Sequence, residues 1–85
     1  MSVDVWEHDG RLFEILMASN VVDDGMSLEL TDLGDAESGP ALEAFWHDGD
    51  ARFDFIVHRK TAVPFVIVER FVAAARTRLP PTVES

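Results

Sequence analysis

Three histidines, His8, His47 and His58, are the side chains of this 85-residue chain best suited to moving protons or holding a metal near neutral pH. Two of them directly precede an aspartate, in His8-Asp9 and His47-Asp48, and a His/Asp pair can in principle ligate a metal or relay a proton. Neither has the compact spacing of a metal-binding motif, and both lie beside an Asp-Gly turn, so they read as ordinary surface residues. Carboxylates also come in close pairs: Asp23-Asp24, Asp32 with Asp35, and Asp48 with Asp50. Acid/base chemistry needs one carboxylate of a pair in an apolar pocket that raises its pKa, whereas carboxylates in turns stay hydrated and ionised. Asp48-x-Asp50 lacks the further oxygen ligands of a calcium loop. The chain has no nucleophile elbow and no glycine-rich phosphate loop. Without cysteine, neither a disulfide framework nor a thiolate zinc site can form. These residues describe a protein that is not an enzyme and takes no metal or cofactor.

The elements that would position such residues can be read from periodicity and turn chemistry. Val3 to His8 reads as a strand, Asp9-Gly10 as a tight hairpin turn, and Arg11 to Ala18 as the returning strand. A two-residue turn there puts Trp6 opposite Phe13 and Val5 opposite Glu14, with Phe13, Ile15 and Met17 on one face. Leu12 and Leu16 lie on the other face, so the first hairpin is apolar on both sides. Asn20 to Gly25 is a polar turn. Met26 to Thr31 then alternates with Met26, Leu28 and Leu30 inward. Asp32 to Pro40, with two glycines, a proline and three acids, reads as a loop.

A second hairpin joins Ala41–His47 to Ala51–His58 across Asp48-Gly49-Asp50, with Leu42, Ala44, Trp46, Phe53 and Phe55 on one face. Phe45 and Ile56 then point outward among charged neighbours, an arrangement typical of an interaction site. Pro64 to Leu79 reads as a helix begun by proline, with an apolar stripe of Phe65, Val68, Phe71, Val72, Ala75 and Leu79. Pro80-Pro81 ends it. The fold class expected is α+β: one domain over residues 1–85, an antiparallel β-meander of about five strands, and one C-terminal helix packed on one face.

Composition narrows the classes further. Apolar residues make up 47% of the chain, an ordinary globular value, and no run of about 20 apolar residues could cross a membrane. The first residues lack the features of a signal peptide, which gives a cytoplasmic expectation. The net charge of −9 is unevenly spread. Residues 1–50 hold thirteen carboxylates and one base, Arg11, for a local net of −12, whereas residues 51–85 are net +3. Direct binding to nucleic acid draws its affinity from lysine and arginine, so the acidic part argues against it. The same charge suits docking on a basic protein surface, with encounter accelerated by electrostatic steering.

The run from Ala62 to Glu84 resembles the end of a family of bacterial immunity proteins, which neutralise polymorphic toxins, many with nucleic-acid deaminase domains. The residues that carry the resemblance are Pro64 at the helix start, Phe71 near its middle, then Pro80 and Val83-Glu84. The aromatic-rich hairpin from Phe45 to Phe55 is compatible with it. The resemblance implies a small inhibitor that occludes a cognate toxin, with a basic, nucleic-acid-processing protein as its partner. The carriers expected are the acids and the outward aromatic on sheet and loops: Asp32, Asp35, Glu37, Glu43, Phe45 and Asp54. Two other classes fit the composition. One is a phage-type inhibitor that mimics nucleic acid. The other is a structural domain whose two-sided hairpin is buried in a homodimer or larger oligomer.

Overall fold

In a computed structural model, described over residues 3–20, 25–49, 52–59 and 62–79, the chain forms five strands and one α-helix. The strands are β1 (Val3–His8), β2 (Arg11–Asn20), β3 (Gly25–Asp32), β4 (Leu42–His47) and β5 (Arg52–Val57); the helix is α1 (Phe65–Arg78). The sheet order is β1-β2-β3-β4-β5, every pair antiparallel, so each strand lies beside its neighbour in sequence. The α+β meander with one C-terminal helix is therefore the fold.

The first hairpin turns as its sequence requires. Asp9 and Gly10 both have positive φ, 51° and 80°, the pair of angles that matches a two-residue turn to the twist of the strands. Glu7 Oε2 accepts a hydrogen bond of 2.8 Å from the Gly10 N–H across this turn. The register pairs Trp6 with Phe13 and Val5 with Glu14, as expected. In the second hairpin Trp46 faces Phe53 and Ala44 faces Phe55, which places the expected residues on one face. The expected turn residues Asp23-Asp24 and Asp50, and the tail from Pro80 onward, lie outside the described residues.

Two local features depart from expectation. The Asp32–Pro40 loop contains a short 3-10 helix, Leu33–Ser38, kinked at Asp35. Asp32 caps its start: the carboxylate Oδ1 accepts from the Gly34 N–H at 2.9 Å, satisfying a donor that the first helical turn cannot. At the start of β4, Ala41 donates to the Leu30 carbonyl at 2.8 Å although the strand partner of Leu30 is Leu42. Two residues thus oppose one, a bulge that bends the chain as it leaves the loop.

The core lies between one sheet face and α1. Trp6, Phe13, Ile15, Leu28, Leu30, Leu42 and Ala44 from the sheet pack with Ile67, Phe71, Ala75 and Leu79. Pro64 is the residue before the helix, not its first turn, with φ −54° and ψ 139°. The buried line on α1 is accordingly Ile67, Phe71 and Ala75, four residues apart, and two expected members of the stripe, Phe65 and Val72, are 75% and 40% exposed. Phe65 is the first residue of the helix, and Val72 lies beside Phe53 and Phe55 of β5.

A simple dimension explains what remains uncovered. Five strands span about 19 Å at ~4.8 Å per gap, whereas a helix with its side chains is about 10–12 Å wide. One helix cannot roof the whole sheet. At β5, Phe53, Phe55 and Val57 share the face of the core residues yet are 41%, 52% and 60% exposed. At β1 the gap is closed by long side chains: the Arg70 guanidinium lies 4.3 Å from the centre of the Trp6 ring, and Arg78 pairs with Asp4.

Candidate functional site

The six candidate residues fall into two groups. Asp32, Asp35 and Glu37 lie on the end of β3 and the 3-10 helix after it, while Glu43, Phe45 and Asp54 lie on the sheet face opposite α1. The groups meet at the end of β5. Arg59 reaches the Asp35 carboxylate at 2.6 Å, and the neighbouring His58 imidazole is 2.7 Å from the Glu43 carboxylate.

Most of these carboxylates are engaged with cations. Asp32 pairs with Arg11 at 2.8 Å. That guanidinium and the Gly34 N–H hold its carboxyl below the usual aspartate range. Asp54 is 2.8 Å from the His47 ring and 3.2 Å from Arg52, and these contacts, the His47 hydrogen bond first, lower its pKa as well. His47 therefore finds its carboxylate across the hairpin at Asp54, and its sequence neighbour Asp48 is not that partner. His8 does approach the adjacent Asp9, at 3.4 Å on an exposed turn. Glu37 is exposed on the 3-10 helix.

Glu29, which sequence reasoning missed, lies directly across from Glu43 on the outer face. Partial burial first, and the Glu43 charge second, raise its pKa, with His58 acting in the opposite direction. The alternating pattern of β3 offered the signal: Ser27, Glu29 and Thr31 form its polar face. Which acid would face which across the sheet required the register.

Phe45 is on the outer face, as expected, opposite Asp54 and Ser27. It is not exposed there: only 5% of its surface is accessible. Its ring lies 4.5 Å from the His47 ring and against the backbone of Gly25. A glycine in the neighbouring strand makes room for the ring to lie flat on the sheet, so the expected outward aromatic is an internal filler.

A shallow cleft of about 430 Å³ lies beside the acidic loop, lined by Gly10, Arg11, Leu12, Asp32, Gly34 and Asp35, among others. Leu12 supplies an apolar wall, 45% exposed, and the tip of the first hairpin adds Asp9, whose side chain is 87% exposed. The described residues contain no group of three or more His, Cys, Asp or Glu placed to hold a metal ion. No helix among them is long and apolar enough to cross a membrane. This end of the molecule sets Arg11, Asp32 and Asp35 around a half-exposed leucine, with the exposed Asp9 and Glu37 adding negative charge beside them. Comparison with protein-family models, curated proteins and solved structures gives no match to this chain.

Proposed function

We propose that the protein is a non-catalytic binding module, an immunity-type inhibitor that docks its acidic end on a basic, nucleic-acid-processing toxin and occludes that toxin's active site or substrate channel. The observation that carries the reading is the cleft between the first hairpin and the 3-10 helix. There Asp32 and Asp35 line the cleft with the half-exposed Leu12, while the exposed Asp9 and Glu37 lie on the hairpin tip and the 3-10 helix on either side of it in sequence. Apolar contact with a charged rim is the common anatomy of a protein-binding surface. The resemblance of the C-terminal run to immunity proteins and the net −12 of residues 1–50 point the same way. Asp32, Asp35 and Glu43 are tied to Arg11, Arg59 and His58, and Glu37 is exposed on the 3-10 helix, so a basic partner would compete for the paired acids as well as meet Glu37.

The test is capture of partners from the native organism, followed by reconstitution with the purified partner. Expected is one basic, nucleic-acid-processing protein whose activity falls at stoichiometric ratio and whose association slows about tenfold between low and physiological salt. The double variant Asp35→Asn, Glu37→Gln should slow association and flatten that salt dependence. A partner bound with unchanged kinetics by the double variant, or bound without loss of activity, overturns the reading.

A further inference from the structure

We propose that the edge of β5, unpaired among the described residues, is a self-association seam, at which two copies pair antiparallel about a two-fold axis through Ile56 and join their sheets into one of ten strands. This goes beyond the inhibitor reading and does not depend on it.

The hydrogen-bonding phase of β5 sets what its edge offers. The His58 N–H donates to the Ala41 carbonyl at 2.8 Å, so residue 58 faces β4. Residues alternate in direction along an antiparallel strand, so Ile56 and Asp54, paired with Glu43 and Phe45, face β4 as well. Phe53, Phe55 and Val57 therefore turn their N–H and C=O groups outward. Edge strands commonly carry a lysine, a proline or a bulge that blocks further pairing, and Arg52–Val57 contains neither proline nor lysine and pairs without interruption. Its side chains on the helix side are the three that α1 fails to cover, with Val72 beside Phe53 and Phe55 in an open groove of about 330 Å³.

The occupant follows from register and charge. Outward bonds require an odd-numbered residue of one copy to face an odd-numbered residue of the other, which a two-fold axis through any residue of β5 satisfies. An axis through Phe53 carries the pairing into the hairpin turn, and one through Phe55 or Val57 sets the Asp54 carboxylate or the His58 imidazole against Ile56 of the second copy. With the axis through Asp54, that carboxylate would face its own copy, which like-charge repulsion disfavours. With the axis through Ile56, Ile56 faces Ile56 of the second copy and Phe55 faces Val57 of the second copy. Asp54 then faces His58 of the second copy, twice by symmetry. The seam is thus apolar on the helix side and complementary on the other. It is also locally neutral, with one arginine and one aspartate over Arg52–Val57 in a chain of net charge −9. Two copies meeting here keep their acidic ends apart, and salt screens the remainder within about 8 Å. Asp54, alone of the six candidate residues, then belongs to this surface.

The chain contains no cysteine, so an introduced one reports only its own position. Ile56→Cys, 36% exposed on the outer face, should oxidise to a disulfide-linked species of twice the 9.5 kDa chain mass. Val5→Cys, 54% exposed on β1 at the other edge, should cross-link at least tenfold more slowly. Light scattering at high concentration should give the dimer mass for the unmodified protein and the monomer mass for Ile56→Lys, which sets two ammonium groups face to face. If Ile56→Lys fails to fold, the two cysteine variants decide alone. A mass of 9.5 kDa for the unmodified protein up to millimolar concentration, or equal cross-linking of the two cysteine variants, overturns the proposal.

Discussion

The ring of Phe45 lies directly on the backbone of Gly25: a β-carbon at residue 25 would come within 2.6 Å of Phe45 Cε1 and closer still to the Trp46 carbonyl oxygen. The shorter of these contacts is with backbone, so it cannot be relieved by a side-chain rotation. Gly25→Ala should therefore cost about 1–3 kcal/mol through overpacking. Its partner Phe45→Ala should cost about 3 kcal/mol through the lost contact and cavity. Because the methyl of the first variant would occupy space vacated in the second, the double variant should be less destabilised than the sum of the two. Urea melts of the four proteins give the coupling directly.

Glu29 and Glu43 face each other on adjacent strands, and Glu29 titrates above the ordinary glutamate range. A carboxylate whose folded pKa is raised favours the folded state while protonated, and that contribution is lost as pH rises through the folded value. At pH 7 the ionised Glu29 is a net cost. Glu29→Gln should raise the melting temperature at pH 7 by about 1–3 °C, the range that a cross-strand like-charge pair supports in a chain of this size. The gain should disappear below about pH 4, where glutamate in the unfolded chain is itself protonated. Thermal melts from pH 3.5 to 8 check both the size and the pH at which it fades.

Asp32 has the opposite sign. Arg11 and the Gly34 N–H lower its pKa, so its contribution is present above the ordinary aspartate pKa and lost as pH falls through the lowered folded value. Asp32→Ala removes both the cap and the ion pair and should cost about 1 kcal/mol, or roughly 4–8 °C, at pH 7. Asp32→Asn keeps a cap acceptor and should recover part of that loss. Should the two variants melt together, the cap has no measurable weight.

Arg70 packs its guanidinium over the buried Trp6 ring, which makes this tryptophan a reporter of helix docking. Arg70→Ala should cost about 0.5–1 kcal/mol and shift tryptophan emission to longer wavelength as water reaches the indole. Arg70→Lys should retain a smaller part of the effect, because an ammonium lacks the planar stacking surface. Emission spectra of the folded variants separate this from any change at Trp46, which packs edge-on against Phe53 at 5.8 Å.

The hairpins were legible in the chain because their turn chemistry is specific: Asp9-Gly10 demands two positive φ angles, and the alternation on either side fixes the register once the turn is placed. The helix was legible in existence but not in orientation. Phe65 and Ile67 are both large and apolar, and only the packing of the helix on the sheet decides that Ile67 is buried while Phe65 is exposed. The exposure of β5 was hidden for a related reason. Phe53, Phe55 and Val57 alternate as a buried strand does, and the width of a single helix is not a property of that strand's residues. For the candidate site, the acids of the loop could be named, yet their pairing could not. Arg11 with Asp32 and Arg59 with Asp35 join residues more than twenty positions apart. Phe45 illustrates the same limit, since its burial depends on a glycine that faces it only after the sheet has formed.

The strict meander has a kinetic consequence. Every strand pairs with its sequence neighbour, so the sheet can assemble by successive short loop closures without a slow search for distant partners. The helix supplies the most widely separated hydrogen bond among the described residues, Arg78 with Asp4, 74 residues apart. Hairpin formation should then lead and helix docking follow, so that Phe71→Leu mainly accelerates unfolding while substitutions at Ile15 or Leu30 mainly slow folding. A chevron plot for each variant would show on which limb the change falls.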